Sequence, residues 1–179
     1  LCRISSAAGI DILRQAKASG LPLTADVSIN SLMLTDVDIG YFNSAMRVTP
    51  PLRQGRDRDA LQAALADGTL DALVSDHTPV SEDEKLLPFG EATPGATGLE
   101  LLLSLSLKAA GLTAGEASAL DGAQLQRALA CVTLGPVKVL GDAIGSLASS
   151  AGRIVCAVVF TAPETMPSAS PRWTIMVPK

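Results

Sequence analysis

Two short apolar runs, each preceded by a helix-like segment, constrain this chain more than any other feature. Ala7–Ser19 has Ser5 and Ser6 before it, Gly20 after it, and Ile10 and Leu13 at helical spacing. Serine offers an oxygen to the unpaired amides of a first turn, and glycine ends a helix in a left-handed conformation. Pro22–Ile29 then reads as a buried strand. An irregular stretch reaches about Arg56. Asp57–Ala66 repeats the helical pattern, with Leu61, Ala64 and Leu65 on one face and Gly68 as its stop, and Leu70–Ser75 is a second strand. This alternation predicts an α/β fold with a parallel sheet, because a parallel neighbour is reached only through a crossover. Two strands cannot close a barrel of eight. The chain, opening Leu1-Cys2-Arg3-Ile4, is therefore expected to be the last part of a larger fold. Half a closed barrel would leave strand edges unpaired and fold poorly alone.

The remaining elements are a loop, Thr78–Thr97, a third helix, Leu99–Ala110, and a fourth, Gln124–Cys131. Gly135-Pro136 opens a short helical piece to Leu140. Arg153–Phe160 reads as a third strand, and the Pro- and Ser-rich tail from Pro163 as loose.

Composition excludes several classes. Hydrophobic residues make up 47% of the 179, too many for a disordered chain. With 14 basic and 18 acidic residues the net charge is −4, and no basic stripe marks a nucleic-acid surface. The longest apolar stretch, Leu99–Leu107, is interrupted by Glu100, Ser104 and Ser106, so no membrane span is expected. Cys2, Cys131 and Cys156 are few, scattered and odd in number, which fits reduced thiols in a cytoplasm.

His77 is the single histidine. No histidine-rich metal site can be assembled from this chain alone. Asp76-His77 follows the second strand, where barrel enzymes place their chemistry. One reading makes Asp76 a general base or metal ligand. The plainer reading has Asp76 cap the following turn while His77 packs. Gly95 and Gly98, in Pro94-Gly95-Ala96-Thr97-Gly98-Leu99-Glu100, admit either an anion at a helix N-terminus or an ordinary helix start. Arg56-Asp57-Arg58-Asp59 reads as a solvated first turn. Thr49-Pro50-Pro51-Leu52-Arg53 reads as a rigid loop.

In order, these pieces resemble the C-terminal half of a dihydroorotase, in the amidohydrolase superfamily. The resemblance is carried by Ile4 to Gly9, Gly20 to Val27, Leu34-Thr35-Asp36, Pro50-Pro51-Leu52-Arg53, Asp67 to Ala72, Ser75-Asp76-His77-Thr78-Pro79, and Phe89 through Glu100. It implies a (β/α)8 barrel, here residues 1–145, with part of a small flanking β domain in 146–179, entered through Leu147–Phe160. It implies reversible cyclisation of carbamoyl aspartate to dihydroorotate, with zinc polarising the carbonyl and an aspartate moving the proton.

The departures shape the functional expectation. Where the family has a metal-binding His before its Ser-Ser, this chain has Arg3. A guanidinium stays protonated and has no lone pair for a metal. The family's Thr-Pro-His-His-Leu reads Ser28-Ile29-Asn30-Ser31-Leu32. Val80 and Thr49 stand where the family has a substrate-contacting His and Asn. Asp76 matches the catalytic Asp, while His77, Pro94 and Gly95 match substrate contacts. All four are expected to be vestigial, with no metal and no cofactor. The pattern resembles non-catalytic dihydroorotase-like proteins, which are structural subunits of aspartate transcarbamoylase. The resemblance thus implies that the catalytic chain of that enzyme is the partner, in an oligomer, with neither nucleic acid nor membrane involved. The alternative is an active zinc-dependent dihydroorotase.

Overall fold

The structure, a computed structural model, describes residues 1–111 and 122–140. Helix α1 (Ala7–Ala18) begins where the Ser6 hydroxyl accepts the Gly9 amide at 3.2 Å. It ends at Gly20, φ 83°, whose N–H reaches the Lys17 carbonyl while the Leu21 N–H reaches that of Ala16. Those bonds satisfy carbonyls the helix leaves over, in a conformation that a residue without Cβ adopts freely.

Strands β1 (Asp26–Ser28) and β2 (Ala72–Val74) pair in parallel, with Val27 opposite Leu73. Helix α3 (Gly55–Ala66) forms part of the crossover between them. Leu1–Ile4 runs along the other edge of β1, where the Asp26 amide donates to Leu1 and the Ile4 amide to Asp26, both at 3.0 Å. Parallel pairing resumes past β2 as a bridge between His77 and Ala96. The described residues are thus a stretch of parallel sheet with helices as crossovers.

Ile10 and Leu13 of α1 and Leu61 and Ala64 of α3 share one core with Val27 and Leu73 from the strands. Each large apolar side chain so buried contributes about 1.5–3 kcal/mol. Ile29 and Leu32 of α2 (Ile29–Met33), Leu102 of α5 (Leu102–Ala109) and Val132 of α6 (Gly122–Val132) complete it. Helix α7 (Leu134–Leu140) lies close enough to β2 that a Cβ on Gly135 would fall 2.0 Å from the Asp71 carbonyl oxygen. Only glycine fits there.

Both strands are shorter than expected. Ser28 ends β1 because its hydroxyl caps α2, accepting the Asn30 amide at 3.2 Å. The loop read over Thr78–Thr97 contains a short helix, α4 (Glu82–Lys85), with Ser81 and Glu84 as a capping box. The Ser-x-x-Glu spacing carries that signal. Helix α5 starts later than Leu99, at Leu102. Asp57 corrects the reading of a solvated charge run. It is buried, and its Oδ1 accepts the Ala7 amide at 2.8 Å, tying the start of α3 to that of α1. The strand at Arg153–Phe160, the small domain at 146–179, the tail and Cys156 lie outside the described residues. No described helix is long and apolar enough to cross a membrane.

Candidate functional site

The site sits where the sheet ends. Arg3 lies in the edge segment, Asn30 follows β1, and Asp76 follows β2. Arg3 (φ 54°) and Asp76 (φ 50°) are both left-handed residues with a Cβ, a conformation costing about 1 kcal/mol or more each. Each is held by its surroundings. The Arg3 amide donates to Asp26 Oδ1 at 2.7 Å. Its Nη1 donates to the Thr49 carbonyl at 3.0 Å and to Asp76 Oδ1 at 3.2 Å. The Asp76 side chain is 5% exposed and that of Arg3 31%. A nearly buried carboxylate therefore has a fixed cation as its partner.

His77 is half-buried. Its Nδ1 faces the amides of Gly98 at 3.2 Å and Leu99 at 3.3 Å, so that nitrogen presents its lone pair to the backbone. Pro94 is half-buried and Gly95 buried. Gly95 has φ 151°, its amide donates to the Arg47 carbonyl at 2.9 Å, and a Cβ there would meet the Thr78 carbonyl oxygen at 2.5 Å. The Gly95 and Gly98 amides, which an anion would need, thus serve Arg47 and His77. Ser75 Oγ and Asn30 Nδ2 are buried with no hydrogen-bond partner among the described residues. Buried polar atoms without partners are uncommon, and here both flank the strand ends.

The described residues do not by themselves bring together a donor set for zinc. Such a site needs several neutral imidazoles, thiolates or carboxylates converging on one point. Among the described residues no group of three or more His, Cys, Asp or Glu does so. Asp76 faces a guanidinium, and His77 directs one nitrogen to the backbone. Cys131 belongs to another part of the molecule, where burial pushes its thiol up to about 11 and keeps it protonated. It borders a cavity of about 300 Å³ with Leu32, Gln62 and Arg127, among the helices and away from Asp76.

Two loops, residues 36–47 and 82–91, are tied to one another. The Lys85 Nζ donates to the carbonyls of Ser44 at 3.2 Å and Arg47 at 3.1 Å. Burial, helped by the Arg47 charge, lowers the Lys85 pKa. The Ser44 hydroxyl donates to the Lys85 carbonyl. Arg47 Nη1 donates to the Phe89 carbonyl at 2.6 Å.

No family model matches the chain. It is 46% identical over 105 residues to a dihydroorotase-like protein of Pseudomonas putida, covering 59% of this chain and 25% of that protein. It is 36% identical over 178 residues to a dihydroorotase of Anaeromyxobacter dehalogenans, covering 98% of this chain and 37% of the relative. The chain is a dihydroorotase homologue. It spans between a quarter and two fifths of the length of these relatives. Among solved structures, a D-hydantoinase from a Thermus species superposes with a TM-score of 0.66 at 23% identity, over 88% of this chain and 33% of the hydantoinase. The fold is therefore part of the amidohydrolase (β/α)8 barrel, as the family resemblance implies, and its parallel sheet with helical crossovers is what the alternation of elements predicts.

Proposed function

We propose that this homologue is part of a dihydroorotase-like protein of pyrimidine synthesis that lacks zinc-dependent hydrolase activity. On this reading it serves as a structural subunit for the catalytic chain of aspartate transcarbamoylase, in the cytoplasm. One observation carries the non-catalytic part. Arg3 Nη1 lies 3.2 Å from Asp76 Oδ1, so the carboxylate that would move a proton is paired with a permanent cation. A metal ion brought to Asp76 would meet that positive charge first. The transcarbamoylase partnership rests on resemblance to dihydroorotase-like proteins rather than on site geometry. Asp76, His77, Pro94 and Gly95 are the remnants of the pocket. Asp76 is bound by Arg3, His77 Nδ1 by the Gly98 and Leu99 amides, and the Gly95 amide donates to the Arg47 carbonyl.

The active reading has its own support in the 36% identical dihydroorotase and in Asp76 at its strand end. Isolating the full-length protein from its own cells, counting zinc and assaying dihydroorotate separates the two. Stoichiometric transcarbamoylase with no zinc is expected. Zinc-dependent turnover of dihydroorotate would overturn the non-catalytic reading.

A further inference from the structure

Residues 44–49 link Lys85, which lies outside the site, to two groups within it. Toward Lys85, the carbonyls of Ser44 and Arg47 accept the ammonium, and the Ser44 hydroxyl donates back to the Lys85 carbonyl. Toward the site, the Arg47 carbonyl accepts the Gly95 amide, and the Thr49 carbonyl accepts Arg3 Nη1, the nitrogen that also holds Asp76. The Arg47 carbonyl therefore takes Lys85 Nζ at 3.1 Å and the Gly95 amide at 2.9 Å together. Val48, between the two carbonyls, is buried. Capping boxes, Thr35 with Asp38 and Ser81 with Glu84, hold the other ends of both loops.

Lys85 is not placed as a solubilising surface lysine would be. It is half-buried beside the Arg47 guanidinium, and neither cation is paired with a carboxylate among the described residues. Burial and the Arg47 charge both act against its charged form. What it gains in return is two main-chain acceptors. Hydrogen bonds from an ammonium are about twice as strong as neutral ones. They fall on the carbonyls at either end of Ser44–Arg47, so they fix the path of the chain and not merely one side chain.

We infer that Lys85 is a positioning residue for the site. By clamping Ser44 and Arg47 it sets the Arg47 and Thr49 carbonyls, and these orient the Gly95 amide and the Arg3 guanidinium. Without the ammonium, residues 44–49 shift, and both site groups lose alignment with their acceptors. The two loops thus act on the Arg3–Asp76 pair through the backbone between them.

Hydrogen exchange of the full-length protein tests this. In Lys85→Met, protection of the Gly95 amide should fall about tenfold, as loss of bonds from a charged donor does. Amides of α1 should be unchanged. Lys85→Arg keeps a cation with several donors and should restore most of the protection. Ser44→Ala, a milder change, should cause a smaller fall at Gly95, and it decides alone if Lys85→Met does not fold. Unfolding adds a second readout. Sites without a shared partner lose stability additively, whereas Lys85→Met combined with Arg3→Met should lose less than the sum of the two. Gly95 protection unchanged in the variants that fold would overturn the assignment. So would additive losses, no restoration by Lys85→Arg, or a fall that extends through α1, which would mark general loosening.

Discussion

The two ends of the strands are built differently. At the N-terminal end, Asp71 accepts the Ala25 amide at 2.9 Å and the Lys17 ammonium at 2.8 Å, and Lys17 also reaches the Thr69 carbonyl at 2.8 Å. The amide of Asp71 returns to the Ala25 carbonyl at 2.8 Å. Every polar group named there has a partner, and its residues keep ordinary backbone angles. At the C-terminal end, Arg3 and Asp76 hold left-handed conformations, and Asn30 Nδ2 and Ser75 Oγ have no partner among the described residues. Strain and unpaired groups cluster where barrels do chemistry, and stability residues gather at the opposite face. The C-terminal end keeps the strain of a working site, yet its charge is turned on itself.

The largest effect should come from removing the cation. Arg3→Met leaves Asp76 as a nearly buried carboxylate without its partner. About 2 kcal/mol of stability should be lost, less than for a fully buried pair because Arg3 is partly exposed. Adding Asp76→Asn should recover part of it. Denaturant unfolding of the full-length single and double variants measures the coupling. Equal losses in single and double variants would show that the two ends do not differ as described.

Lys17→Met should cost about 1 kcal/mol, because Asp71 keeps the Ala25 amide and both side chains are about a quarter exposed. A loss greater than that from Arg3→Met would reverse the contrast.

The smallest effect is on the loops. Hydrogen bonds from the Thr35 amide and hydroxyl hold Asp38 below its usual pKa of 3.8, and those from Ser81 hold Glu84 below 4.5. A depressed carboxylate stabilises the fold above its unfolded pKa and ceases to as pH falls through the folded one. The protection of amides in residues 36–46 and 82–91, relative to their intrinsic exchange rates, should therefore be constant above pH 4.5 and fall only at lower pH. Loss of protection already at about pH 6 would show that the caps do not anchor these loops.

The helices were readable where a local signal fixed them. Ser6 and Gly20 bracket α1 because capping depends on neighbours within four residues. The parallel sheet was readable because alternating elements leave few other ways to bury two apolar runs. The signal for α4 is also local, in the spacing of Ser81 and Glu84, but it sits in a stretch whose prolines argue for a loop.

The sequence by itself determined the α/β alternation and the single imidazole, since each is a matter of residue type and spacing. Only the tertiary structure decided what Arg3 does. Its partner Asp76 is 73 positions away, and no local rule joins them. The same holds for Asp57, which looks solvated in its own helix and is buried against Ala7 from 50 positions earlier. It holds for the Gly98 and Leu99 amides, which His77 draws to itself. Short-range propensities set the elements, while the pairing of charges and amides across the sheet follows from which strand ends the fold brings together.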